Sequence, residues 1–183
     1  ANEQHYEVPS SFYKKILGPN LKYSACSFEH ASSLAEGETE MLDLYCNRAR
    51  LSDGDKILDL GCGWGAFTLY AAQKYPKSHI TAISNSKTQR QYILEKIKSN
   101  KLNNVKVVTA DINVLEIEEK YDRIISIEMF EHIRNYKLLF SKIHTWLKQD
   151  GLLFVHHFCH KFLSYEFNEN DSWMAKNFFK DGL

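Results

Sequence analysis

Glu128, Glu131 and His132 stand within five residues of one another, directly after the apolar run at 123–127. A carboxylate or an imidazole can take a proton from an acceptor group, and neighbouring carboxylates can stabilise a positive charge as it develops. The set therefore suits a reaction in which a neutral amine becomes cationic. It is also compatible with two solvated acids opening a helix, where they complement the dipole. A second constellation lies upstream, with glycines at alternate positions in Gly61-Cys62-Gly63-Trp64-Gly65 and Asp59 just before them. Glycines in such a turn let the backbone bend tightly and let a ligand approach with no Cβ in the way. A dinucleotide fingerprint spaces its glycines GxGxxG and aims helix N–H groups at a pyrophosphate. Here the spacing is GxGxG, and a carboxylate at Asp59 repels pyrophosphate while suiting a ligand with an ammonium group and no phosphate. S-adenosylmethionine is such a ligand.

Further along, the position about 20 residues past the glycines usually carries an acid for the ribose hydroxyls. This chain has Ser84-Asn85-Ser86 there, and Gln89 one helical turn on. The amide oxygens of Asn85 and Gln89 can accept hydrogen bonds from a diol; the alternative is a helix cap by Ser84 or Ser86. Asp111 can accept from an adenine amino group while Ile112 covers the face of the ring, or Asp111 is a plain turn residue. The run His156-His157-Phe158-Cys159-His160 invites a metal-site reading. Adjacent histidines in a strand point to opposite faces, however, and the spacing matches no common zinc site. No metal is expected, and His156 is placed at the border of the acceptor pocket.

These residues need a frame, and the hydropathy pattern supplies one. Short β-type runs at 56–60, 79–83, 105–109, 123–127 and 152–157 alternate with helix-like stretches at 65–74, 87–100 and 136–148, with a short one near 114–118. Such alternation predicts a parallel sheet with crossover helices, an α/β Rossmann-like architecture; the family resemblance given below implies its class I methyltransferase form. Residues 101–104 and 149–151 supply the turns before the third and fifth strands. Glu128 to His132 then follow the fourth strand, at the end where open α/β sheets bind ligands. Residues 1–50 are aromatic-rich and helix-like, broken at Gly18-Pro19-Asn20, and form a cap on the Rossmann-like domain at 51–183, one structural domain in all. Residues 172–180 read as a further helix. Nothing after it covers the fifth strand, so that strand is expected at an open edge, with the usual C-terminal strand pair missing and the acceptor pocket incomplete.

Bulk properties narrow the partners. A chain of 183 residues makes one domain with a real core. Its 23 basic and 23 acidic residues cancel, which removes the electrostatic case for obligatory nucleic acid or anionic membrane. No apolar run reaches membrane-spanning length, and the first residues lack signal-peptide character. The cysteines, Cys26, Cys46, Cys62 and Cys159, are widely separated, as reduced thiols in a cytoplasmic protein are. Oligomeric state has no signature.

Several spaced motifs together carry a family resemblance: His5-Tyr6-Glu7-Val8, Leu21-Lys22-Tyr23-Ser24, the stretch 58–67, Asn85-Ser86-Lys87-Thr88-Gln89, and Ser126-Ile127-Glu128-Met129-Phe130-Glu131-His132. The chain resembles the cyclopropane-fatty-acid-synthase-like methyltransferases, and within them the coclaurine N-methyltransferase-like branch. The resemblance implies that Tyr23 and Ser24 close over the methionine end of S-adenosylmethionine, which Gly61 and Gly63 line. It implies that Asn85 and Gln89 take the ribose, that Asp111 and Ile112 take the adenine, and that Ile127 offers backbone near the methionine portion. Read from residue type alone, Tyr23 is a core aromatic. Lipid-cyclopropanating relatives usually carry glycine where this chain has Glu128, and a bicarbonate-binding cysteine where it has Ala25; Glu131 and His156 do match two other residues of that bicarbonate site. The expected function is methyl transfer to the nitrogen of a small amine, with Glu128, Glu131 and His132 as catalytic residues. Methylene transfer to a lipid acyl chain, or cofactor binding without catalysis, are the alternatives.

Overall fold

Ile57, Leu58 and Leu60 are all buried, and so is Asp59 between them. A strand apolar on both faces belongs in the middle of a covered parallel sheet, and that is its place in the computed structural model, which describes residues 9–163 and Trp173. The strands are β1 (Lys56–Leu60), β2 (His79–Ser84), β3 (Val105–Thr109), β4 (Tyr121–Ile127) and β5 (Leu147–His156). All four pairings are parallel, in the order β3-β2-β1-β4-β5. The helices are α1 (Ser10–Ile16), α2 (Leu34–Arg48), α3 (Ala66–Lys74), α4 (Lys87–Ser99) and α5 (Tyr136–Trp146).

Alternation along the strands sends successive side chains to opposite faces. On one face Ile57, Ile80 and Ile125 meet Leu42, Tyr45 and Cys46 of α2 and Phe67 and Ala71 of α3. On the other, Leu58, Leu60 and Ile124 meet Leu139, Ile143 and Trp146 of α5. Tyr13 and Leu21 pack with Trp64, Tyr92 and Ile93, so part of the N-terminal segment lies within the core.

Five parallel strands and an α/β frame agree with the sequence pattern, and β5 is an edge strand among the described residues. Several local expectations need correction. No helix forms at 114–118: Leu115 is buried and Ile117 packs against the core, but Val114 is 75% exposed, so the three do not form one buried helical face. The carbonyls of Asn113 and Leu115 accept instead from the Lys142 ammonium, at 2.8 and 3.1 Å. Residues 149–151 are not a turn before β5 but lie inside it. Between the pairs Tyr121↔Leu147 and Arg123↔Leu152, β5 advances five positions while β4 advances two, which makes an enlarged bulge. The N-terminal 50 residues hold less helix than expected, since residues 17–33 between α1 and α2 are irregular. The motif at 5–8 and the helix at 172–180, Trp173 apart, lie outside the described residues. No helix among the described residues is long and apolar enough to cross a membrane.

The irregular segment is fixed by a buried carboxylate. Glu38, on α2, is fully buried and accepts from the backbone N–H groups of Asn20 (2.8 Å) and Lys22 (3.2 Å). Between them Leu21 has φ of 49°, a left-handed conformation unusual for leucine. Glu38→Ala strands both donors and is expected to lower folding stability by about 2–4 kcal/mol, with Glu38→Gln losing less. Denaturant unfolding of the three proteins measures this.

Candidate active site

The turn after β1 is built by hydrogen bonds that cross to the neighbouring strand. The N–H groups of Gly61 and Cys62 both donate to the Ile83 carbonyl at the end of β2, at 3.1 and 2.9 Å. Gly61 and Gly63 have φ of 87° and 53°, in the left-handed region that favours glycine. A Cβ at Gly61 would lie 2.8 Å from the Met129 side chain, whereas one at Gly63 would meet nothing within 4 Å. Gly61 is thus a packing glycine, and Gly63 faces open space.

That space is part of a cavity of about 1220 Å³ at the C-terminal ends of the strands. The volume exceeds the ~300–1,000 Å³ of a site for a single small ligand and leaves room for two molecules side by side. From β1 and its turn come Asp59, Gly61 and Gly63; from the end of β2 come Asn85 and Gln89; after β3 come Asp111 and Ile112. The end of β4 supplies Ile127, Glu128, Glu131 and His132, and the N-terminal segment supplies Tyr23 and Ser24. Every residue proposed from the sequence for catalysis or cofactor binding borders this cavity. Lys22, Trp64 and His156 border it as well.

Local geometry qualifies several of the expected contacts. Asp59 is 1% exposed and accepts from the Thr68 hydroxyl at 2.5 Å. Burial raises its pKa from an ordinary 3.8 to about 7, and the Thr68 bond only partly offsets that. The Gln89 amide oxygen already accepts from the Ser84 hydroxyl at 2.7 Å, which leaves one of its two lone pairs for a diol. Its Nε2 is buried without a partner, so this side chain offers a donor. Ser86 does cap α4, accepting from Gln89 N–H at 3.2 Å. Asp111 forms a local turn in which Oδ1 accepts from both the backbone and the side chain of Asn113, each at 2.9 Å. The indole N–H of Trp64 is also buried and unpartnered. Unpaired buried donors are uncommon and call for a ligand or a water.

At the end of β4 the backbone is strained. Glu128 has φ of 50°, which costs a non-glycine residue of the order of 1–3 kcal/mol. Its N–H donates to the His156 carbonyl at 2.7 Å, and its Oε1 accepts from Ala25 N–H at 3.0 Å. Glu131 is the middle residue of a short 3₁₀ turn, Phe130–His132, and is 7% exposed. Phe158 N–H donates to its Oε1, while Oε2 is buried without a partner. His132, beside it, is exposed. Nothing in the sequence distinguishes Lys22 from a solvated lysine, or Trp64 from an ordinary core aromatic.

A buried carboxylic acid, two unpartnered donors and an open glycine position fit a ligand with a cationic end and several acceptors, as S-adenosylmethionine has. Comparison with known proteins points the same way. The mycolic acid cyclopropane synthetase family model matches residues 1–183. (S)-coclaurine N-methyltransferase of Thalictrum flavum subsp. glaucum is 47% identical over 184 residues, covering 99% of this chain and 51% of that protein. A crystal structure of coclaurine N-methyltransferase bound to N-methylheliamine and SAH superposes with a TM-score of 0.92 at 48% identity, over 96% of this chain and 51% of the other. A mycolic acid cyclopropane synthase complexed with SAH and CTAB gives 0.77 at 31% identity, over 84% and 55%. The chain spans about half the length of the curated relatives it matches.

The raised pKa of Asp59 makes stability depend on pH. Because the folded state holds the proton more tightly than the unfolded one, this group's contribution is most favourable below about pH 4 and is lost as pH rises through about 7. Asp59→Asn, which keeps an acceptor for Thr68, is expected to raise the melting temperature of the ligand-free chain at about pH 8 and to change it little at about pH 4. Thermal unfolding at the two pH values checks both arms.

Proposed function

Because the chain belongs to the mycolic acid cyclopropane synthetase family, we propose that it is an S-adenosylmethionine-dependent methyltransferase that methylates the nitrogen of a small amine. The observation that carries the reading is one cavity bordered by two chemically distinct sets of residues. Asp59, Gly63, Gln89 and Trp64 belong to one, with unpartnered donors on the last two; Glu128, Glu131 and His132 form the other. Its likeness to coclaurine N-methyltransferase supports the amine over the acyl-chain acceptor, as does a carboxylate at Glu128.

Bound S-adenosylmethionine supplies a methyl group already activated by its sulfonium. The work left to the chain is to hold two reactants in line and to manage one proton. Asp59 holds the ammonium of the methionine end, Gly61 and Gly63 leave room for it, and Tyr23 and Ser24 close over it. Asn85 and Gln89 take the ribose, Gln89 through its Nε2 donor. Asp111 takes the adenine amino group on the oxygen that Asn113 leaves free, Ile112 covers the ring, and Ile127 presents backbone near the methionine portion. From the other set, His132 takes the proton from the incoming ammonium so that it attacks as a neutral amine. Glu131, with its unpartnered Oε2, and Glu128 stabilise the positive charge that returns as the new N–C bond forms. No metal enters this scheme. We place the protein in the cytoplasm: all four cysteines are free thiols, as reducing compartments keep them.

Calorimetry should show binding of S-adenosylhomocysteine and no comparable binding of NAD, and Gly63→Leu should weaken it at least about tenfold by filling the open position. Tighter binding of NAD refutes the cofactor assignment. Affinity for the nucleoside is expected to rise with pH up to about 8 as Asp59 loses its proton, and Asp59→Asn to abolish that rise.

Turnover with coclaurine, the amine in the relatives' name, and with simple secondary amines addresses the chemistry. Glu131→Gln and His132→Ala should each lower the rate by roughly 10²–10⁴-fold with little change in cofactor affinity. Near-normal turnover by both variants reduces them to structural residues. Product from an unsaturated phospholipid and none from amines would favour the acyl-chain acceptor, and no turnover with either would favour cofactor binding alone.

A further inference from the structure

Lys22 has no part in the scheme above, yet it is among the most enclosed charges in the chain at 3% exposure. None of its ammonium's hydrogen bonds goes to a carboxylate. Its ammonium donates to Ser24 Oγ at 2.5 Å, to the Ala25 carbonyl, and to the Tyr45 hydroxyl at 3.1 Å. Three acceptors account for the three hydrogens of an ammonium. Burying a cation against neutral partners is unfavourable unless every donor is satisfied, and burial lowers the Lys22 pKa to about 8 despite the acids nearby. A residue kept at that disadvantage fixes whatever its three bonds touch.

Two of the bonds grip the segment that borders the cavity, and Ala25 is held at both its backbone groups: its carbonyl accepts from Lys22 and its N–H donates to Glu128. The third bond reaches further. Tyr45 lies 2.9 Å from His156 Nδ1. The ammonium donates to the phenol oxygen, and the nearby Ser24 hydroxyl also acts on it as a donor, so the phenol hydrogen is left for that nitrogen. Glu128 Oε1 stands 3.9 Å from the same nitrogen, beyond hydrogen-bond range. His156 Nδ1 is then an acceptor, and the ring's hydrogen sits on Nε2. Burial also lowers the His156 pKa, against the pull of Glu128, which keeps the ring neutral.

We propose that Lys22 is a positioning residue that does two things at once: it ties the Tyr23–Ser24–Ala25 strap that borders the cavity, and through Tyr45 it holds His156 as the neutral Nε2–H tautomer, presenting a fixed donor at the cavity wall. The strap half rests on the cofactor reading given above; the tautomer half does not. One buried charge thereby links the residues that take the cofactor to the strand that borders the acceptor.

The test uses ¹⁵N-histidine spectra of the full chain, with S-adenosylhomocysteine affinity measured in parallel. Wild type should show His156 as a single neutral tautomer protonated on Nε2. Lys22→Met should convert it to a tautomer mixture and weaken S-adenosylhomocysteine binding about tenfold. Tyr45→Phe, which cuts the relay but leaves both strap bonds, should lose the tautomer preference and keep affinity within about twofold. A purely structural lysine would not move the tautomer signal. The proposal is overturned if wild-type His156 is protonated on Nδ1, or if Lys22→Met leaves both tautomer and affinity unchanged. Should Lys22→Met not fold, the wild-type and Tyr45→Phe spectra decide the matter. Failure of wild type to bind the nucleoside removes the cofactor reading and leaves the tautomer assignment to stand or fall on its own signal.

Discussion

Two hydrogen bonds from Gly61 and Cys62 to the Ile83 carbonyl tie the exit of β1 to the exit of β2. They require the chain to leave β1 through left-handed backbone at Gly61 and Gly63. Helix α3 can then start beside the sheet instead of across its end. The chain turns from β1 toward β2 on one side, while β4 pairs with β1 on the other. The strand order therefore diverges at β1, and a crevice must open beyond its C-terminal end. Every residue of the proposed site reaches that crevice from a strand exit, except Tyr23 and Ser24. Those two arrive from the N-terminal segment, which Glu38 fastens from below.

The crevice concentrates buried polarity that folding alone does not reward. Asp59, Lys22 and Glu131 are each under a tenth exposed, and an unpaired buried charge costs far more than a typical hydrogen bond returns. The chain meets this differently at each place. Asp59 shifts toward its neutral form, Lys22 spends all its donors on neighbours, and Glu131 satisfies one oxygen and leaves the other bare. Of the three, Asp59 and Glu131 retain unmet demand, and both face the cavity. Residues whose cost is unrelieved within the fold are those for which a ligand makes the largest difference, and Lys22, whose cost is relieved internally, reads instead as a support.

Much of this was legible in the sequence, for reasons that differ by element. The bounds of β1 and β3 follow from apolar runs with clear flanks, and the Gly61-x-Gly63 turn from spacing alone. The 114–118 stretch misled because Val114, Leu115 and Ile117 look like a helical apolar pattern, although Val114 is exposed and Lys142 satisfies the carbonyls. Residues 149–151 misled because Asp-Gly reads as a turn, and only the register against β4 shows it to be a bulge. Candidate site residues were legible wherever type and spacing coincided. Lys22 and Tyr45 were not, since a lysine in a polar stretch and a tyrosine on a helix's apolar face carry no mark of the long-range bonds that define them, one spanning 111 residues from Tyr45 to His156. For Gln89 the position was legible but its surroundings were not: Ser84 takes one lone pair of the amide oxygen, and Nε2 is buried without a partner.

The strain at Glu128 bears on the acceptor. At φ of 50° a glycine would be at ease, and glycine is what lipid-cyclopropanating members of the resembling family usually carry. A glutamate there forgoes of the order of 1–3 kcal/mol, so its side chain must return something that the backbone does not need. One return is visible, the bond from Ala25 N–H to Oε1 at 3.0 Å. A donor onto a carboxylate recovers about 1.5–3 kcal/mol, comparable to the strain. The bond thereby fixes a carboxylate on the cavity lining, and a negative charge beside the proposed acceptor site serves a nitrogen that becomes cationic far better than an alkene. A glutamate held at this strained position thus favours the amine reading.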